Sequence, residues 1–154
     1  MEKELVDILS ENKLHIATVE SCTGGMIASN IVNVSGASSV FEYGFVTYSN
    51  NAKANVVYVD EALLAKYGAV SRECAIAMAE GAKKVSGADI CISVTGVAGP
   101  GTDEGKKVGL VYIGIAAKTS KAYELHLSGD RMAIRNNAAR YAIELSIKTI
   151  KEEF

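Results

Sequence analysis

Six residues decide more about the fold of this chain than any others: Ile90-Cys91-Ile92-Ser93-Val94-Thr95. A short run this nearly continuous in apolar residues reads as a strand covered on both faces, since a half-exposed strand alternates apolar with polar side chains. Helices must then lie on two sides of a sheet. The run empties into a loop carrying Gly96, Gly99, Gly101, Gly105 and Gly109 together with Pro100, the only proline in a chain with 14 glycines. Permissive and rigid backbone residues share one place, at a strand end where ligands collect in open α/β sheets. The spacing matches neither a dinucleotide fingerprint nor a phosphate loop, so by itself the segment says only that a loop follows a buried strand.

The 154 residues, 49% hydrophobic and 22% charged, suit one soluble globular domain. Periodicity predicts a helix over 2–12, a strand over Leu14–Val19, a helix over about 23–34 and a strand over Phe41–Tyr48 followed by a polar turn at Asn50 and Asn51. Asp60 caps a short helix ending at Gly68, and Ser71 caps a longer one ending at Gly87. After the buried strand, Val108–Ala117 and Ala122–Leu127 read as an antiparallel pair. Asp130 then caps a last helix with Ile134, Ala138, Tyr141 and Leu145 in one stripe. The expected architecture is a single three-layer α/β/α domain with a mixed sheet.

A formal charge of −2 argues against a nucleic-acid partner that needs a broad basic face. The charge is uneven: residues 105–154 hold nine basic and five acidic side chains, which suits either a small phosphorylated ligand or a solvated helix surface. Cys22, Cys74 and Cys91 form no CxxC pair, so neither a disulfide framework nor a metal site is expected. The charged start Met1-Glu2-Lys3-Glu4 lacks the apolar stretch of a signal peptide, and no apolar run approaches the roughly 20 residues of a membrane span. The chain reads as cytoplasmic, without a membrane partner.

Two further loops carry polar chemistry. Glu20-Ser21-Cys22-Thr23-Gly24-Gly25 lies between a strand and a helix, where outward amides and the helix dipole suit an oxyanion or a phosphate; a serine or threonine there is equally at home as an N-cap. In Val46-Thr47-Tyr48-Ser49-Asn50-Asn51-Ala52-Lys53, a desolvated Lys53 would serve as a base for a serine, although the segment alone favours a surface lysine after an Asn-Asn turn. His15 and His126 read as packed strand residues rather than members of a serine triad.

Taken in order, Glu20–Gly25, Val46–Asn50 with Ala52-Lys53, Gly68–Ser71, Thr95-Gly96 with Ala98-Gly99-Pro100, Val108-Gly109 and Ser128-Gly129-Asp130-Arg131 resemble the CinA C-terminal domain family over nearly the whole chain. In that family the domain, alone or fused to an N-terminal molybdopterin-binding-like domain absent here, is a nicotinamide-nucleotide amidohydrolase. The resemblance implies deamidation of nicotinamide mononucleotide to nicotinate mononucleotide and ammonia in pyridine nucleotide recycling. It implies a serine nucleophile with a lysine and a tyrosine, which fall on Ser21, Lys53 and Tyr48, and it needs no cofactor and no metal. Matched segments place substrate contacts at Cys22, Thr23, Gly24, Gly25, Asn50, Thr95, Gly96, Ala98 and Gly99. Arg131, one turn before Arg135 on the same helix face, is the expected phosphate contact, with a structural salt bridge as the alternative. The family's loop usually runs through Gly-Gly-Ser to Lys-Pro-Val-Gly. Here it is the shorter Gly101-Thr102-Asp103-Glu104-Gly105-Lys106-Lys107-Val108-Gly109.

The expected chemistry has Ser21 attack the carboxamide, Lys53 take its proton, Tyr48 link the two, and amides near Cys22–Gly24 hold the oxyanion. Cys22 is the rival nucleophile, because a helix N-terminus lowers a thiol pKa. Two other readings stay open: a non-catalytic nucleotide-binding or interaction module of the competence type, and an amidase for another small amide. An Ala-rich last helix suits a symmetric homodimer.

Overall fold

The computed structural model describes residues 1–154. Helix α1 (Glu2–Glu11) precedes β1 (Ile16–Glu20), α2 (Met26–Val32), a 3-10 turn at Ala37–Ser39 and β2 (Phe41–Val46). Helices α3 (Asn50–Val57), α4 (Glu61–Tyr67) and α5 (Arg72–Ser86) lead to β3 (Ile90–Gly96), β4 (Leu110–Ala116), β5 (Ser120–His126) and α6 (Arg131–Glu153). The five strands form one mixed sheet in the order β2-β1-β3-β4-β5, with β1 parallel to β2 and β3, and β4 antiparallel to both neighbours. No helix is long and apolar enough to cross a membrane.

The period-2 alternation of β1 and β3 divides the core into two. Ile16, Ile90, Ile92 and Val94 face α1, α2 and α6 in a cluster of 25 buried residues. Ala17, Val19 and Cys91 face α3, α4 and α5 in a smaller cluster of nine. Both faces of the sheet centre are therefore covered, as the apolar run demands, and the three-layer architecture stands. On the smaller side the layers approach closely because small residues permit it: a Cβ on Gly114 would lie 2.3 Å from the Ala75 carbonyl oxygen of α5 and 2.4 Å from Ser93 Oγ. Ser93 Oγ donates to that carbonyl at 2.6 Å and accepts the Gly114 N–H at 3.1 Å, so strand and helix are joined by a buried hydroxyl.

Several sequence expectations need correction. The Asn50-Asn51 segment is the start of a helix, not a turn, because Ser49 Oγ accepts the Ala52 N–H at 3.0 Å and caps it. Helix α2 begins only at Met26, since Gly24 and Gly25 take φ of +58° and +105° and hold the preceding residues in turns. Helix α6 is buried around more of its girth than one stripe, with Ala139, Ala142, Ile143, Ser146, Ile147 and Ile150 joining Ile134 and Ala138. His15 and His126 are exposed and stand beside carboxylates, at 3.8 Å from Asp89 and 3.1 Å from Glu124.

The direction of the strands gathers the functional segments. The C-terminal ends of β1, β2 and β3 lie at one end of the sheet, and β5 returns the chain to that same end before α6 starts. Replacing Gly114 by Ala forces the layers apart against backbone; an equilibrium denaturation curve should show a loss of about 2 kcal/mol.

Candidate active site

Ser21 is the first residue beyond β1, and its N–H extends the ladder by donating to the Val94 carbonyl at 2.9 Å. The neighbouring Glu20 is fully buried, and its carboxylate accepts from Thr23 Oγ1 at 2.6 Å, Ile27 N at 2.9 Å and Ala28 N at 3.1 Å. It ties the turn after the serine to the start of α2. From the other side Arg135 of α6 donates through Nε to the Cys22 carbonyl at 2.9 Å and through Nη2 to the Thr23 carbonyl at 3.2 Å. A trans peptide turns its N–H away from its carbonyl, so Arg135 fixes the Thr23 amide on the opposite side of the turn. No oxygen within the chain accepts the Cys22 or Thr23 N–H. The amides of Ile27 and Ala28 are occupied by Glu20, so any oxyanion donors belong to the turn and not to the helix.

Lys53 lies in the first turn of α3, with its side chain directed into the protein and only 1% of the residue exposed. Its Nζ is 3.0 Å from Ser21 Oγ and 3.3 Å from the Tyr48 carbonyl, which also accepts from Ser21 Oγ at 3.4 Å. No carboxylate reaches ion-pairing distance of Nζ. Burial therefore lowers the Lys53 pKa, against weaker upward pulls from Cys74, Cys22, Glu104 and Asp103. Lys53 is not the surface lysine that its segment alone favours. Burial pushes the Cys22 thiol up to about 11, the reverse of the helix-terminus expectation, because the thiol is buried in a turn ahead of α2.

The other expected residues divide. Cys22, Gly96, Ala98, Gly99 and Arg131 line one cleft with Ser21 and Tyr48. The Tyr48 phenol is exposed and does not stand between Ser21 and Lys53; its oxygen accepts from Arg131 Nη2 at 3.2 Å, while the Tyr48 carbonyl joins the serine and lysine. Arg131 Nη1 donates to the Gly99 carbonyl at 2.6 Å, so the arginine braces the glycine loop and makes no salt bridge. Thr23 spends its hydroxyl on Glu20, and Gly24 and Gly25 shape the turn; a Cβ on Gly24 would lie 3.3 Å from Arg135 Nη2. Thr95 is buried and donates to the Ala69 carbonyl at 2.8 Å, outside the cleft. Asn50 is exposed and opens on a different depression with Asn51, Glu61 and Leu64.

Sequence reasoning missed Glu20, Arg135 and Asp103, of which Asp103 lines the cleft. Glu20 was visible as a charged residue at the end of an apolar strand, the position from which a carboxylate caps the following helix. Two measurements check the electrostatics. The Cys22 thiol should react with iodoacetamide at neutral pH about a hundredfold more slowly than an ordinary cysteine, since its thiolate is scarcer by two pKa units. Replacing Lys53 by Met should raise the Tm at pH 7, with the gain shrinking as the pH climbs toward ~10.4, because a lysine whose folded pKa is lowered costs stability below its unfolded value.

The comparisons with known proteins agree with one another. The model of the CinA C-terminal domain matches residues 1–150. A putative competence-damage inducible protein of Clostridium novyi is 52% identical over 147 residues, 94% of this chain and 35% of its own length. A CinA-like protein of Thermotoga neapolitana is 46% identical over 153 residues, 99% of this chain and 38% of its own length. The chain thus spans little more than a third of the curated relatives it matches. Among solved structures, a competence-damaged protein (CinA) superfamily protein of Klebsiella pneumoniae superposes with a TM-score of 0.96 at 29% identity, covering 98% of this chain and 96% of that one. A competence/damage inducible protein of Agrobacterium tumefaciens gives 0.92 at 36% identity, covering 97% and 93%. With the family model matching residues 1–150 and the solved structures superposing over nearly the whole chain, this chain belongs to the CinA C-terminal domain family.

Proposed function

We propose that the domain is a Ser–Lys amidohydrolase that converts nicotinamide mononucleotide to nicotinate mononucleotide and ammonia. The observation that carries this reading is the 3.0 Å contact between Ser21 Oγ and the Nζ of a buried lysine with no carboxylate partner. Burying an unpaired amine costs stability, and the lowered basicity that comes with burial is of use to a proton acceptor in catalysis.

In the proposed reaction the neutral Lys53 amine takes the Ser21 proton as Oγ attacks the carboxamide carbon. The oxyanion forms opposite Arg135, on the side of the Thr23 amide, which has no internal acceptor; one well-placed donor there contributes roughly 3 kcal/mol. Lys53 then passes its proton to the departing nitrogen, ammonia leaves, and the acyl-serine remains. Water attacks it with Lys53 again as base, releasing the carboxylate and restoring Ser21. Arg131 has donors left beyond its bonds to Gly99 and Tyr48, and these serve the phosphate. The mononucleotide itself comes from the family resemblance.

Mass spectrometry of the mononucleotide should show the one-dalton shift from amide to acid with the wild-type protein, and kcat should fall at least about a thousandfold in Ser21→Ala and in Lys53→Ala. Activity should rise with pH along an acid limb below the ordinary lysine range, because only the deprotonated Lys53 acts as base. Full turnover by Ser21→Ala would overturn the assignment.

A further inference from the structure

The cleft is lined by two residues of opposite formal charge, Arg131 at the start of α6 and Asp103 within the glycine loop. Arg131 is engaged by Gly99 and Tyr48, whereas the Asp103 carboxylate makes no hydrogen bond and no ion pair within the chain. An ionised carboxylate only accepts, so its partner in a ligand must be a donor or a cation.

Asp103 is not on a free flap. The next residue, Glu104, accepts the Ala69 N–H at 2.9 Å and the Val70 N–H at 2.8 Å. Lys106 Nζ donates to the Tyr67 carbonyl at 3.1 Å and to the Val70 carbonyl, and its N–H donates to the Asp103 carbonyl at 2.8 Å. The docking is close: a Cβ on Gly68 would lie 2.4 Å from Glu104 Oε2. Residues 103–106 are thus strapped to the connection between α4 and α5, with Asp103 lining the cleft and Glu104 bound to the Ala69 and Val70 amides. This is the segment in which the chain departs from the usual loop of its family.

We propose that Asp103 is a specificity-determining residue that favours a carboxamide on a cationic ring, a pyridinium, over the same carboxamide on a neutral ring. The inference rests on the mononucleotide reading. A pyridinium mononucleotide carries a positive ring and a negative phosphate, and the cleft offers a carboxylate and a guanidinium. The alternative partner for Asp103, a pair of ribose hydroxyls, is common to the oxidised and reduced mononucleotides and so separates in the test. Asp103 is also near enough to Lys53 for its charge to oppose the downward pull of burial there.

The test is calorimetric binding of oxidised and reduced nicotinamide mononucleotide, whose rings are cationic and neutral, to Ser21→Ala protein with and without Asp103→Asn. Asp103→Asn should weaken the oxidised ligand about fivefold, the upper range for an exposed ion pair, and leave the reduced ligand unchanged. Asp103→Glu should keep the preference. Equal weakening of both ligands assigns Asp103 to the hydroxyls or to loop structure and overturns the inference; so does no weakening of either. In the Ser21-containing protein, Asp103→Asn should also move the acid limb of kcat/KM to lower pH, since a negative charge near Lys53 is gone. Ammonia release without the charge preference leaves the deamidase standing and this inference fallen. The charge preference without ammonia release does the reverse. Failure of both ligands to bind, together with no ammonia release, removes both.

Discussion

A lysine amine buried without a counter-ion costs stability, and the arrangement around it makes sense as what keeps it there. In water the group would hold its proton to about pH 10.4. Inside the domain it finds only a serine hydroxyl and one backbone carbonyl, which satisfy its hydrogen bonds without neutralising a charge. The same environment that makes the amine a better base makes it a burden on the fold.

Holding that arrangement takes contributions from separate layers. Glu20 binds the turn after β1 from within the sheet, and Arg135 binds it from α6, so the loop beside Ser21 is gripped by groups of opposite charge that make no contact with each other. The lysine arrives from the third layer on a short helix that begins at Ser49 and is packed against α5, where a Cβ on Gly81 would collide with the Val57 carbonyl at 1.9 Å. Moving the serine would disturb the hold of Glu20 and Arg135 on its turn, and moving the lysine would disturb the packing of α3 on α5. Rigidity of this kind suits preorganised chemistry, in which donors are aimed before the substrate arrives.

Much of the architecture was legible in the chain. The apolar run at 90–95, the glycine stops at 68 and 87 and the caps at Asp60, Ser71 and Asp130 all mark real boundaries, because each expresses a local rule. What escaped depended on distance in space. The pair Asn50-Asn51 has the composition of a turn, and only the Ser49 cap and packing against α5 make it helical. Arg131 and Arg135 share a face, so periodicity has no means to tell which braces the glycine loop and which holds the serine turn. Lys53 is polar by type and internal by placement, and the resemblance to a family, not the pattern around it, pointed to its use. Asp103 lies in the segment where that resemblance is weakest.

The strand order has a further consequence for how the molecule comes into being. β1 sits between β2 and β3, and the partner of Ser21 N–H, the Val94 carbonyl, is 73 residues further along the chain. Arg135, which grips the turn, is later still. Helix α1 and the β1–β2 pairing are nearer in sequence, whereas the turn holding Ser21 waits for contacts from β3 and α6. Such non-local closure is slow relative to helix formation. The Ser21–Lys53 arrangement is therefore a late product of this domain's folding, set only once β3 and α6 are in place around the turn after β1.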